Sequence, residues 1–188
     1  MGADNNISGY PDDGLDDPKE IDLRDFMYSA HEGDRMGMVS FLMKFGVHHI
    51  DDTRGEPMRL NAMLWAIEKG RTESVDFLLC AGADIEYREG LTGNTPLIKA
   101  AAKGDRLTTQ LLVSRGANIH AVNASGQTAE EAALAAGKTE TAMLVRDELL
   151  LRERLRREEL DRTAAAFHTG LEQKTPVKHA LRRKPGGP

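Results

Sequence analysis

The chain places imidazole and carboxylate groups close together at one point, His48-His49-Ile50-Asp51-Asp52. Such a set could in principle ligate a divalent transition ion. Adjacent side chains on an extended segment point apart, however. Ile50 also matches a packing position that recurs later in the chain at Ile85 and Ile119. The expectation is therefore a solvated hairpin and no metal. The one cysteine, Cys80, permits neither an internal disulfide nor a cysteine-built zinc site. It lies beside Leu78 and Leu79, and a buried structural thiol is expected there. Neither a glycine-rich phosphate loop of the required spacing nor a Gly-x-Ser-x-Gly elbow occurs. No catalytic residue, no cofactor and no enzymatic activity are expected. Trp65, between Leu64 and Ala66, is expected to be buried, with a half-exposed binding anchor as the alternative.

The elements that must carry these residues are set by composition. The 188 residues are 40% hydrophobic but only 5% aromatic. The core must be built from Leu, Ala, Ile, Val and Met, and the many alanines imply helices in close approach. The net charge of −5 is unevenly placed. Residues 1–20 set six carboxylates against Lys19, whereas residues 163–188 set five cations against Glu172. No apolar run approaches the ~20 residues of a membrane span. The first residues lack the basic and apolar regions of a secretory signal. No membrane association is expected.

The chain repeats itself. Gly33, Gly70, Gly104 and Gly137 form one series, and Gly46, Gly82 and Gly116 a second in phase with it. Apolar blocks sit between them: Phe41-Leu42-Met43, Phe77-Leu78-Leu79 and Leu111-Leu112-Val113. Gly82-Ala83-Asp84-Ile85 returns as Gly116-Ala117-Asn118-Ile119. In the best unit, Gly93-Asn94-Thr95-Pro96-Leu97-Ile98-Lys99-Ala100-Ala101-Ala102-Lys103-Gly104, Thr95 suits a helix cap and Pro96 the first helical position. Leu97, Ala100 and Ala101 share one helical face, and Gly104 can end the helix in a left-handed conformation. Asn61 can cap the second unit, Thr128 with Glu131 can form a capping box in the fourth, and Asp22 can cap the first. The wider gap after the first unit places extra residues in a hairpin at 51–58.

The run from Gly93 to Gly104 resembles the ankyrin repeat, with Ile98 in place of the family's histidine. The resemblance covers about residues 22–150 as four units. It implies an all-α fold: an ankyrin-repeat solenoid of paired antiparallel helices with hairpin loops, plus a long C-terminal helix. The expected division is an acidic tail at 1–20, the repeats at 21–150, a charged helical extension at 151–167 and a basic Pro/Gly-rich tail at 168–188.

The last helix is expected to run from Thr139 to about Phe167, roughly 40 Å. Past Leu155 it is mostly charged. Glu148–Arg152, Glu153–Arg157 and Glu158–Arg162 are spaced to add about 0.2–0.5 kcal/mol each. No heptad register continues there, so a sustained coiled coil is not expected.

The resemblance also implies a binding surface on hairpin tips and the exposed ends of first helices. Carried over residue by residue, it comprises His31, Glu32, Arg54, Glu56, Glu68, Lys69, Arg88, Glu89, Leu91, Thr92, Asn94, Lys103, Asn123 and Ser125. Lys174, Lys178, Arg182, Arg183 and Lys184 are expected to add tail contacts, and Thr175-Pro176 resembles a kinase site. The expected partners are one or more proteins, in a multi-subunit assembly. With no aromatic residue interleaved in the basic tail, nucleic acid is disfavoured. The expected role is a non-catalytic adaptor or structural subunit in the cytoplasm, of a cytoskeletal or axonemal assembly. The alternatives are a regulator that occludes an enzyme and a tether that holds an acidic polymer through the basic tail.

Overall fold

A computed structural model describes residues 18–53 and 60–172, with side chains for 22–53 and 60–166. Eight α-helices follow in order: α1 (Pro18–Glu32), α2 (Arg35–Phe45), α3 (Ala62–Lys69), α4 (Thr72–Cys80), α5 (Pro96–Lys103), α6 (Arg106–Ser114), α7 (Ala129–Ala135) and α8 (Thr139–Glu172). A short 3-10 turn covers Val47–His49. There is no strand among the described residues.

The chain divides into two units, residues 1–149 and 150–188. The first is the repeat stack. Helices α1, α3, α5 and α7 pack on one another as an inner row, and α4 packs on α6 in an outer one. Each turn between the paired helices is tight because a glycine ends the inner helix. Gly70 and Gly104 adopt left-handed conformations, and their N–H groups return to carbonyls of α3 and α5.

The inner helices start as their sequences require. The Asn61 side chain accepts from the Leu64 N–H at 3.0 Å and the Thr95 hydroxyl from the Ile98 N–H at 3.3 Å. Thr128 and Glu131 form the reciprocal capping box, with the Thr128 N–H donating to the Glu131 carboxylate at 2.8 Å. The Asp34 and Asp105 side chains cap α2 and α6 by accepting from the Met36 and Thr108 N–H groups, without a reciprocal partner.

Leu64, Ile67, Leu78, Leu97, Ile98 and Leu112 form the heart of the core. Ala66, Ala100, Ala101 and Ala133 are fully enclosed between them. Alanine at these places lets the inner helices approach closely while their remaining polar faces stay accessible. Within the first unit α8 contributes Ala142 and Val145 to this core, and the Thr141 hydroxyl donates to the Ala101 carbonyl at 3.1 Å.

In the second unit, α8 side chains from Glu153 to Ala166 are all exposed. The helix runs to Glu172, past the expected end near Phe167 and through Gly170. A helical glycine costs about 1 kcal/mol relative to alanine but removes no backbone donor, so it need not stop the helix.

Other expectations are corrected. α1 begins at Pro18, so Asp22 does not cap it; it lies inside the helix and pairs with Lys44 at 2.6 Å. Cys80 is exposed, because 200° of helical rotation separates it from the buried Leu78. His48 and His49 lie in a 3-10 turn, not an extended segment. Their rings are 4.3 Å apart, and His49 Nδ1 meets Asp52 at 2.7 Å. Ile50 is buried, as its repeat position requires. No group of His, Cys, Asp and Glu among the described residues could hold a metal ion. Of the expected insertion at 51–58, the residues from 54 onward lie outside the described ones.

Candidate protein-binding surface

The accessible faces of the inner helices form a row. Tyr28 on α1 stacks on His31 with ring centroids 6.1 Å apart, and His31 meets Trp65 on α3 edge to face at 5.7 Å. Tyr28 and Trp65 are half-buried, while His31 is buried between them. Trp65 is thus the half-exposed alternative and not the fully buried one. Lys99 of α5 occupies the repeat position of Trp65. It continues the row as an ion pair, bonding Glu68 of α3 at 3.2 Å and Glu89 at 3.4 Å.

Cations tie the second and third repeats each to the last turn of the inner helix before it. Arg71 Nε donates to the His31 carbonyl at 3.2 Å, and Lys103 Nζ donates to the carbonyls of Ile67 at 2.9 Å and Glu68. The carbonyl end of a helix carries partial negative charge, so cations are favoured there. Arg71 also lies 3.9 Å from Glu32.

The hairpin edge is built from polar side chains that bridge neighbouring repeats. The Asp51 carboxylate accepts from the Asp84 N–H and from Asn61 Nδ2, both at 2.8 Å. Burial raises the Asp51 pKa above its ordinary 3.8; the two hydrogen bonds lower it by less, and Asp84 and Asp52 add to the rise. One repeat on, Glu86 accepts from the Asn118 N–H at 2.7 Å. Glu89 is buried and accepts from the Thr92 hydroxyl and from Asn94 Nδ2 at 3.3 Å. Asn123 holds the next hairpin, accepting from the Ser125 and Gln127 N–H groups and donating to Asn94 at 3.0 Å. Arg88 donates to the Val122 carbonyl at 2.7 Å, and the Ala124 N–H donates to the Thr92 carbonyl at 2.9 Å.

These bonds fix the hairpin backbones and leave Leu91, Thr92 and Ser125 exposed at the tips. Glu32, Glu68, Lys69, Arg88 and Lys103 are exposed as well, and Asn94 and Asn123 are half-buried. His31 and Glu89 depart from expectation. Both are buried, because the neighbouring rings enclose the first and three donors converge on the second, so neither offers a free surface. Arg54 and Glu56 lie outside the described residues, as do Lys174, Thr175, Lys178, Arg182, Arg183 and Lys184.

Tyr28, Lys99 and Glu86 help organise this surface but were not among the binding residues expected from sequence. Tyr28 could have been found, since it shares the repeat position of Trp65 and Lys99. The Asp51 and Glu86 bridges are equivalent once Ile50 and Ile85 are aligned. An open groove of about 1020 Å³ also crosses the outer side of the stack. In it Arg115 bonds Asp76 and donates to Cys80 Sγ at 3.4 Å, and Arg35 lies 5.2 Å from the Phe77 ring centre.

Residues 63–108 match the family model for ankyrin repeats (many copies). Ankyrin repeat and KH domain-containing protein 1 of Homo sapiens is 40% identical over 74 residues, which are 39% of this chain and 3% of that protein. Glycerophosphocholine phosphodiesterase gde1 of Schizosaccharomyces pombe is 34% identical over 93 residues, 50% of this chain and 8% of that protein. The chain spans less than a tenth of the length of either relative. No helix among the described residues is long and apolar enough to cross a membrane.

Proposed function

We propose that this chain, an ankyrin-repeat protein, is a non-catalytic protein-binding module that serves as an adaptor or structural subunit. The observation that carries the reading is the union of the Tyr28–His31–Trp65 row with the bonded hairpin tips. Half-exposed aromatic rings held by a packed scaffold supply contact area at little entropic cost, and Trp and Tyr are enriched among the residues that dominate binding energies. The tips add Leu91 and Ser125 on backbones that are already fixed.

Affinity purification of the full chain from cell extract tests this. The wild type retains specific proteins, and a Leu91→Asp, Lys69→Glu, Ser125→Arg variant of equal melting temperature loses them. Identical protein sets from both would refute the assignment of the surface. Proximity labelling in cells tests the assembly at the same time. Neighbours drawn from cytoskeletal or axonemal structures support the structural-subunit role, and a single soluble enzyme as neighbour favours regulation by occlusion.

A further inference from the structure

The outer helices α2 and α6 begin on an aspartate, and α4 between them does not. In α2 the Asp34 carboxylate accepts from the Met36 N–H at 3.0 Å. In α6 the Asp105 carboxylate accepts from the Thr108 N–H at 3.1 Å and from the Thr108 hydroxyl at 2.7 Å. The same position before α4 is Arg71, which gives that helix no side-chain cap. Ser74 stands where Thr108 stands in α6. Among the described residues neither its N–H nor its hydroxyl has a hydrogen-bond partner, although Ser74 is only 2% exposed. A buried donor without an acceptor is destabilising.

Ser74 lines the outer groove beside the turn that joins α1 to α2. Gly33 leaves room there. A Cβ built on it would lie 3.7 Å from Arg71 Cδ and 4.0 Å from Ser74 Oγ, ordinary contact distances. Two guanidinium groups line the same groove. Arg71 bonds the His31 carbonyl through Nε alone, and its Nη2 is 3.9 Å from Glu32, too far for a hydrogen bond. Arg35 lies over the Phe77 ring, 5.2 Å from its centre, and has no ion pair among the described residues.

We propose that the N-terminus of α4 binds a phosphate group. One phosphate oxygen takes the Ser74 N–H and hydroxyl, as the Asp105 carboxylate takes those of Thr108. The remaining oxygens face the Nη groups of Arg71 and the Arg35 guanidinium. Free backbone N–H groups and the helix dipole favour an anion at this place. Phosphate suits it better than a carboxylate, because guanidinium forks match phosphate oxygens and add donors on further sides. The Arg71 side chain is 47% exposed and borders the notch, so it swings outward to admit the anion. Glu32 and Glu73 also line the groove and oppose binding, so the affinity is modest. The phosphate is free or carried on a phosphorylated side chain, and the chemistry recognised is the same. The inference does not rest on the proposed partner surface, and purified chain alone tests it.

The experiment is an amide NMR titration of the full chain with inorganic phosphate, O-phosphoserine or acetate, at constant ionic strength. Phosphate is expected to shift the Gly33, Glu73 and Ser74 N–H signals saturably, with a dissociation constant on the order of 1–10 mM. An equal response to O-phosphoserine assigns the site to phosphate on a side chain, and a weaker one to the free anion. Ser74→Ala is expected to weaken binding about tenfold, the worth of one hydrogen bond to a charged group. Arg71→Asp supplies the cap that α2 and α6 have, and is expected to abolish the response. Arg115→Gln removes a guanidinium of the same groove that is already bonded to Asp76, and is expected to bind as the wild type does. Circular dichroism checks that each variant keeps its helix content. No saturable shift at Ser74 up to about 50 mM phosphate overturns the proposal. So does acetate binding as tightly as phosphate, an Arg71→Asp variant that still binds, or equal loss in Arg115→Gln.

Discussion

Glu89 Oε1 lies 3.4 Å from Lys99 Nζ, joining the hairpin before α5 to the inner face of that helix. The Glu89 side chain is 2% exposed and that of Lys99 14%, so water screens the pair poorly. The pair also has a backbone consequence. The Glu89 N–H donates to the Asn94 carbonyl and the Gly93 N–H to the Glu89 carbonyl, so main chain and side chain of one residue define the same loop.

Glu89→Ala is expected to cost about 2–3 kcal/mol, because it strands the Thr92, Asn94 and Lys99 donors together. Glu68→Ala removes the exposed partner of Lys99 and is expected to cost well under about 1 kcal/mol. Urea unfolding of both variants checks the contrast; equal losses would show that enclosure is not what gives Glu89 its weight.

Thr95→Ala removes a single cap bond and is expected to cost about 1 kcal/mol. Asn61→Ala is expected to cost about 2 kcal/mol, since Asn61 is fully buried and its amide also donates to Asp51. The order of the two unfolding midpoints tests whether the hairpin bridge adds to the cap.

Gly93→Ala is expected to destabilise more than Gly116→Ala. Both residues have positive φ, +65° and +92°, so each variant bears the left-handed penalty of about 1–2 kcal/mol. Only at Gly93 does an added Cβ meet backbone, 3.1 Å from the Ala124 nitrogen. Thermal melts rank the two.

Two carboxyl groups act on stability in opposite pH directions. The Glu131 pKa is lowered below 4.5 by the Thr128 N–H and then by the Thr128 hydroxyl. Its contribution is present above pH 4.5 and lost as the pH falls through the depressed value. The Asp51 pKa is raised above 3.8, chiefly by burial. Its contribution is full below 3.8 and lost as the pH rises through the raised value. Denaturation across pH should therefore lose the first slope in Glu131→Gln and the second in Asp51→Asn.

The caps of α3, α5 and α7 were legible in the sequence because each is local, whereas the cap expected at Asp22 fell inside α1 and those at Asp34 and Asp105 were not named. Thr95 with Pro96, Asn61, and the Thr128–Glu131 pair all act within three residues of themselves. The buried face of α5 was legible for the same reason, from the spacing of Leu97, Ala100 and Ala101. Cys80 was misjudged on neighbourhood, although its helical angle from Leu78 already pointed outward. The burial of His31 depends on Trp65 in the next repeat, 34 positions on, and no local pattern carries that contact. Glu89 was read as surface because a hairpin consensus says where the loop turns and not which side chain folds back under it.

The central claim is that the inner-helix row and the hairpin tips are where partner proteins bind. Site-specific photo-cross-linking in cells tests it most directly, with a photoreactive residue placed at Lys69, Leu91 or Ser125 and, for comparison, at the exposed outer positions Met36 and Leu107. The account predicts discrete adducts to the same partner from the first three positions and none from the last two. Adducts confined to Met36 and Leu107 would contradict it.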